Sequence, residues 1–213
     1  MAVSATNSYT GAGIAEDFQD IIFDISPEET PLLSMAKKSS AGQTYHQWQT
    51  DVLAAAAANR QLEGDDASYA TLAATTVLGN YCQISRKTVQ ISNTYDVVKK
   101  YGRKSEVAYQ LMKAGKELKR DMEFALVRNQ ASSAGGAGTA RSSAGIESWI
   151  SGNSVKATAA STATTPGFSG GSVAAPTVGT AGTFVEADRK SALGLAWLDG
   201  GEPTTILMSS ENN

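Results

Sequence analysis

Residues able to do chemistry are few in this chain and widely spaced. His46 is the single histidine among 213 residues, which removes every metal site built on two imidazoles and leaves one natural general base near neutral pH. Asp51 and any of 23 serines could complete a hydrolase triad with it. No G-x-S-x-G elbow presents a nucleophile, however, and His46 falls in an alternating strand pattern beside Trp48. A structural or surface histidine fits better than a catalytic one. Glu63, Asp65 and Asp66 superficially suggest a carboxylate metal loop, but their spacing is not that of an EF-hand. A solvated loop tip or a contact with another subunit suits them better. Glycine runs at 11–13 and 135–138 lack the G-K-[ST] of a phosphate loop and neither opens a helix after a strand, so they read as turns. The basic segment 99–128 has only Tyr101 and Tyr109 interleaved, which is poor support for binding single-stranded nucleic acid.

Composition points the same way. Ala (33), Gly (20), Ser (23) and Thr (20) together make 96 residues, about 45% of the chain, while charged residues are 18% and aromatics 7%. Enzymes seldom have this balance. Small neutral side chains let surfaces approach closely without stranding a charge that has lost its water. Net charge is −3, which gives no global electrostatic case for a nucleic-acid ligand. Its distribution is uneven: residues 1–36 hold six acids and no base, giving −6, whereas residues 99–128 hold nine bases and four acids, giving +5. These segments could attract one another within a chain or between chains. The lone cysteine, Cys82, fits folding in a reducing cytoplasm. No apolar run approaches the ~20 residues of a membrane span, and no basic segment and apolar stretch follow Met1, so neither a span nor a secretory leader is expected.

Chemistry this sparse shifts attention to the elements. Ile14, Phe18, Ile21 and Ile22 lie at i, i+4, i+7 and i+8, one face of a short helix that Pro27 and Pro31 end. A second helical turn is expected over 32–38, with Lys37 and Lys38 suiting its C-terminal dipole. From Gln43 the period becomes two, giving a strand through Tyr45, Gln47 and Gln49, then a long polar loop with its tip at Glu63, Gly64, Asp65 and Asp66. A return strand is expected over 76–92, its apolar phase slipping between Arg86 and Thr88 as a β-bulge would make it. Two such strands with little apolar material between them suggest an arm lying on something else. A shorter helical piece beginning near Thr94 and a break at Gly102 lead to the clearest periodicity, over 103–129. There Val107, Leu111, Ala114, Leu118, Met122, Ala125 and Leu126 form one apolar stripe, with Lys113, Lys116, Lys119, Arg120 and Glu123 off it. Residues 131–183 are mostly Gly, Ala, Ser and Thr, and Trp149 in their midst marks a loop tied down at one point. A helix over 183–198 capped by Gly200 and Gly201, then a buried strand at 204–208 (TTILM), complete the reading. That strand is expected to need partners on both sides, and hence a chain continuing past Asn213.

An arm, a long hairpin, one long helix, an anchored small-residue loop, then a helix and a strand resemble the major capsid proteins of tailed bacteriophages, with the Hong Kong 97-like fold. Carrying the resemblance are TPLL at 30–33, WQTD at 48–51, EGDD at 63–66, NYCQI at 80–84, RKTVQIS at 86–92, YGRKSE at 101–106 and GKELKRD at 115–121. The likeness spans about 15–213. It implies an α+β fold with an N-terminal arm (1–42), an extended hairpin loop (43–92), a spine helix with the start of a peripheral domain (93–150), and a small-residue loop, helix and strand opening the axial and peripheral domains (151–213). It also implies a structural role without catalytic, cofactor or metal sites. Copies would form hexamers and pentamers of a shell around double-stranded DNA, built in the host cytoplasm with scaffolding, portal and decoration proteins as further partners. Candidate intersubunit contacts are Glu16, Asp17, Asp20, Glu63, Asp65, Asp66, Lys99 and Arg103, and the spine core is Val107, Leu111, Leu118, Met122 and Leu126. Some relatives cross-link a loop lysine to a neighbour's asparagine. Here Lys87 is the single lysine of 43–92, near the loop base, so non-covalent clasping is expected. An encapsulin-type shell is the alternative within the fold, and a hydrolase using His46 the alternative outside it.

Overall fold

The computed structural model describes residues 21–22, 29–67, 69–158, 160, 162–169 and 172–208. The helical face expected at 14–22 lies outside these residues except for Ile21 and Ile22, as do Glu16, Asp17 and Asp20. Elements run in the order α1 (Pro31–Met35), β1 (Tyr45–Thr50), β2 (Thr76–Tyr81), α2 (Asn93–Val97), α3 (Glu106–Val127), a 3₁₀ turn (Ile146–Trp149), β3 (Phe168–Ser169), β4 (Ser172–Val173) and α4 (Glu186–Leu198). This is the mixed α and β content that the sequence implies.

By its internal contacts the chain divides into two units, one of residues 86–120 with 1–29 and the other of residues 30–85 with 121–213. In the first, α2 is started by Ser92, whose hydroxyl accepts from Tyr95 N at 3.3 Å. Gly102, at φ +77°, turns the chain before α3, a left-handed conformation that costs glycine least. Ser105 then opens α3, its hydroxyl accepting from Ala108 N at 3.3 Å, as an N-cap serine should.

In the second unit β1 and β2 pair antiparallel, from Tyr45 opposite Tyr81 to Thr50 opposite Thr76. The Tyr45 and Tyr81 rings lie 4.5 Å apart, and Gly79 leaves the space that the Tyr45 ring occupies. A Cβ there would sit 2.5 Å from Tyr45 Cζ. Pairing ends early. The return strand stops at Tyr81 instead of reaching Ser92, because its partner has run out: Cys82 N donates to Thr44 O at 2.9 Å, and before Thr44 the chain turns away toward α1. With no ladder past that point, the bulge expected near Arg86–Thr88 does not exist. Residues 204–208 likewise form no strand. A ladder needs a partner, none is present among the described residues, and Ile206, Leu207 and Met208 stay about half exposed. At the other end α1 stops at Met35, before Lys37 and Lys38 can meet its dipole. The C-terminus of α4 does close as expected, with Gly200 N on Trp197 O at 3.0 Å and Gly201 N on Ala196 O at 2.8 Å, the paired bonds of a glycine-capped helix end.

Apolar burial is scarce. Among the described residues the buried apolar side chains are Ala144, Ala160 and Val173, and none of them is large. Polar stitching does much of the work instead. Asn80 Oδ1 accepts from Ser132 Oγ and from Ala144 N, both at 2.9 Å, Ser143 Oγ donates to Tyr81 O at 2.6 Å, and Gln130 Nε2 donates to Ser143 O at 2.7 Å. Each such bond is worth about 1 kcal/mol net. A chain rich in serine and threonine holds its loops this way.

Candidate assembly surfaces

Between the strands of the hairpin, residues 51–75 leave every described side chain exposed. Val52 (88%), Leu53 (95%), Leu62 (80%), Tyr69 (99%) and Leu72 (91%) are almost wholly in solvent. Covering one Val or Leu side chain completely is worth about 1.5–3 kcal/mol, so five large apolar groups on one loop are a strong drive toward any surface that fits them. Apart from Thr75 Oγ1 on Gln49 Oε1 at its base, the loop's hydrogen bonds include short-range ones such as Val52 N to Asp51 Oδ1 at 2.9 Å and Gln61 Nε2 to Asn59 Oδ1 at 3.2 Å. Its tip is a turn closed by Asp65 N on Leu62 O at 3.3 Å, with Gly64 at φ +82°. The φ > 0 at the third position is what a type II turn requires of its glycine. Glu63, Asp65 and Asp66 project there into water, and no group of three or more metal-ligating side chains converges among the described residues.

Aromatic stacking fixes the base of the loop. Trp48 of β1 lies 5.1 Å from Trp149 of the 3₁₀ turn, which lies 5.7 Å from Phe168 of β3. Trp149 is thus the anchor that its isolation in a small-residue tract suggested. Below it Ser148 is fully buried, its hydroxyl donating to Gln130 O at 2.8 Å. His46 is exposed on the same ribbon, 6.0 Å from the Trp48 ring and opposite Asn80. Asp51, an odd number of residues away, directs its carboxylate at Val52 N, so the two are not brought together.

At the elbow between α2 and α3 the basic candidates part ways. Lys99 is exposed. Arg103, expected at an intersubunit contact, is held within its own chain: its guanidinium pairs with Glu106 through Nε, donates to Tyr95 Oη at 3.3 Å and lies 5.1 Å over the Tyr109 ring. Glu106 is only 3% exposed. Asp96 closes the elbow, one oxygen accepting from Glu106 N at 2.8 Å and Val107 N at 3.3 Å. These backbone donors hold the Asp96 carboxyl below its ordinary 3.8, and the Gln110 amide, followed by Arg103, lowers that of Glu106.

A depressed carboxyl pKa contributes stability that is complete above the unfolded value, about pH 4, and is lost as pH falls through the folded value. Acidification below about pH 4 should therefore loosen the elbow. Asp96→Asn keeps an oxygen acceptor at the cap, so its thermal stability should vary less between neutral pH and pH 3 than that of the parent, as read by circular dichroism. An identical pH slope would exclude Asp96 as the acid-sensitive cap.

Along α3 the stripe is open in the single chain. Val107, Leu111 and Met122 are exposed, and Leu118 and Leu126 are half-buried. Off the stripe, Glu123 has a role that its solvent-facing position did not reveal. Its two oxygens accept from Leu32 N at 2.9 Å and Leu33 N at 2.7 Å, supplying the cap that α1 lacks because the Thr30 side chain makes no capping bond to these first-turn N–H groups. Glu123→Gln should cost about 1–2 kcal/mol by removing the charge from both bonds. Faster hydrogen exchange at the Leu32 and Leu33 amides is the readout, and unchanged exchange would refute the cap. Asp96, Glu106 and Glu123 all pair with partners distant enough in sequence, or generic enough in type, that no local motif marks them.

Comparison with known proteins places these surfaces in context. The profile of the SU10 major capsid protein family matches residues 3–213. Over 125 residues the chain is 42% identical to the major capsid protein of Escherichia phage Phieco32, covering 58% of this chain and 36% of that protein. The chain spans about a third of the length of this curated relative.

Proposed function

This chain belongs to the SU10 major capsid protein family, and we propose from that premise that it is a structural subunit of a phage head, self-assembling into the icosahedral shell that encloses double-stranded DNA. The observation that carries the reading is the hairpin loop 51–75, whose large apolar side chains are bare while the described residues bury almost no apolar core. Such a surface is stable only when another molecule covers it, and in a closed symmetric assembly that molecule is a further copy. Glu63, Asp65 and Asp66 at the tip are the polar rim of that contact, and the stripe of α3 through Val107, Leu111, Leu118, Met122 and Leu126 is completed on assembly.

Element order supports the Hong Kong 97-like fold: an arm, an extended hairpin loop, a spine helix in α3, then the opening of the peripheral and axial domains. Hexamers and pentamers are the units of such a shell. Scaffolding, portal and decoration proteins are its expected partners, and DNA is enclosed without being read. Assembly takes place in the host cytoplasm, and the product is the virion capsid. An encapsulin-type shell and a hydrolase built on His46 are not favoured by the family match, and a capsid role implies no enzymatic activity. Electron microscopy of the purified protein tests the reading: closed shells or capsomer rings are expected, and a monodisperse monomer at every concentration and ionic strength would overturn it.

A further inference from the structure

We propose that a cleft beside the 3₁₀ turn receives Leu62 of a neighbouring copy, with Arg60 of the same incoming loop pairing with Glu147 at the rim. This rests on the assembly reading above and names the surface that covers the loop. The cleft holds about 260 Å³. Its floor is a local ribbon in which Thr165 N donates to Thr177 O at 2.9 Å and Thr177 N to Thr165 O at 3.0 Å. Side chains alternate along such a ribbon, so Thr164 and Pro166 share one face with Pro176 and Val178, and Glu147 and Ile150 of the turn form the wall. Neither proline carries an N–H that burial would strand. The site is held before anything arrives. Asn129 Nδ2 donates to Pro176 O at 2.9 Å, and backbone closes in on Gly167 and Gly179, where an added Cβ would lie 2.1 Å from Ala174 O and 2.4 Å from Thr162 O. A preformed pocket loses little freedom on binding. Ile150 (43%) and Val178 (69%) stay open to water.

Charge selects the occupant. Glu147 is exposed, and its carboxylate meets no cation among the described residues. The hairpin loop offers one base, Arg60, with Leu62 two residues on. Positions i and i+2 of an extended chain lie on one side, about 7 Å apart, which sets the leucine in the cleft with the guanidinium at Glu147. Leu53 and Leu72 have no base within six residues and lack this match. After Leu62 the turn at Gly64, closed by Asp65 N on Leu62 O at 3.3 Å, carries Asp65 and Asp66 away from the acidic rim. The loop does not fill the cleft of its own chain. Trp48 at the loop base stacks on Trp149 of the turn, yet Leu62 stays 80% exposed. Fully extended, residues 51–62 reach roughly 40 Å beyond β1, so the receiving cleft is that of another copy.

Charge exchange on the full-length protein tests the assignment, with sedimentation velocity reading association and circular dichroism reading folding. Arg60→Glu and Glu147→Arg change exposed residues, so each variant should fold as the parent does and associate about tenfold more weakly. Mixing the two single variants should restore association, since each loop then finds a cleft of opposite charge on the other chain. Rescue in the doubly substituted chain but not in the mixture would place the contact within one copy, and no rescue in either would place Leu62 elsewhere. Both results overturn the proposal. Val178→Trp fills the cleft without altering a charge and should weaken association at least tenfold, so parental association of that variant overturns it too. A parent that assembles while none of these changes weakens it removes the cleft and leaves the assembly reading standing, whereas a parent that never associates removes both.

Discussion

Gly145→Ala is expected to destabilise the second unit severely. Gly145 has an ordinary backbone conformation, so the requirement is one of space: a Cβ would sit 2.0 Å from Arg128 O, 3.1 Å from Arg128 C and 3.3 Å from Leu126 O. All three obstacles are backbone at the end of α3, and none is a flexible side chain that could swing away. Relief requires moving the chain that carries the 3₁₀ turn, and with it Gly145 N on Gln130 O at 2.9 Å, the buried Ser148 and the Trp149 anchor. Overpacking and the lost bonds together should cost about 3 kcal/mol or more. A chain with so little apolar core has little reserve to absorb that loss. Gly138→Ala is the matched control, since nothing lies within 4 Å of its added Cβ. Denaturant midpoints by circular dichroism should fall sharply for Gly145→Ala and stay close to the parent for Gly138→Ala, and a native-like midpoint in the first would show that the turn is not seated on α3.

The second large effect separates folding from assembly. Replacing Leu53, Leu62 and Leu72 together by serine removes three side chains that touch almost nothing in the single chain. Subunit stability should therefore change by less than about 0.5 kcal/mol, as exposed substitutions do. Association should suffer far more, because each leucine covered at an interface is worth about 2 kcal/mol and three together correspond to a factor of more than a thousand in affinity. Sedimentation velocity is the measurement. A variant that folds and still assembles at parental concentrations would show that the loop is bare by chance and makes no interface.

Much of the architecture is legible in the sequence because it is local. Two-residue alternation marks β1 through Tyr45, Gln47 and Gln49, four-and-three spacing marks α3, and the glycine pair at 200–201 marks the end of α4. The tip glycine at 64 and the break at Gly102 are equally readable, since both need φ > 0. Tertiary circumstances decide the rest. Nothing in 82–92 or 204–208 says that the neighbouring strand is missing, so two apolar runs read as strands that have no ladder here. Nothing near Glu123 says that a proline-started helix 91 residues earlier lacks a cap. Arg103 looks like one more base in a positive segment, and only geometry ties it to Glu106 and Tyr95. The hairpin loop is legible as an arm from its length and its scarcity of apolar residues, whereas the large apolar side chains it does carry, Val52, Leu53, Leu62, Tyr69 and Leu72, are seen to be bare only in the structure.

Trypsin cleavage at Arg60 tests the central claim most directly. Arg60 is the single lysine or arginine between Lys38 and Arg86, it lies in the exposed loop, and cleavage reports how often its backbone is free to enter the protease. Dissociated subunits should be cut there within the first moments of digestion, whereas the same chain in assembled particles should be cut about a hundredfold more slowly. Equal rates in both states would contradict the account, since the loop would then remain as bare in the assembly as it is in the single chain.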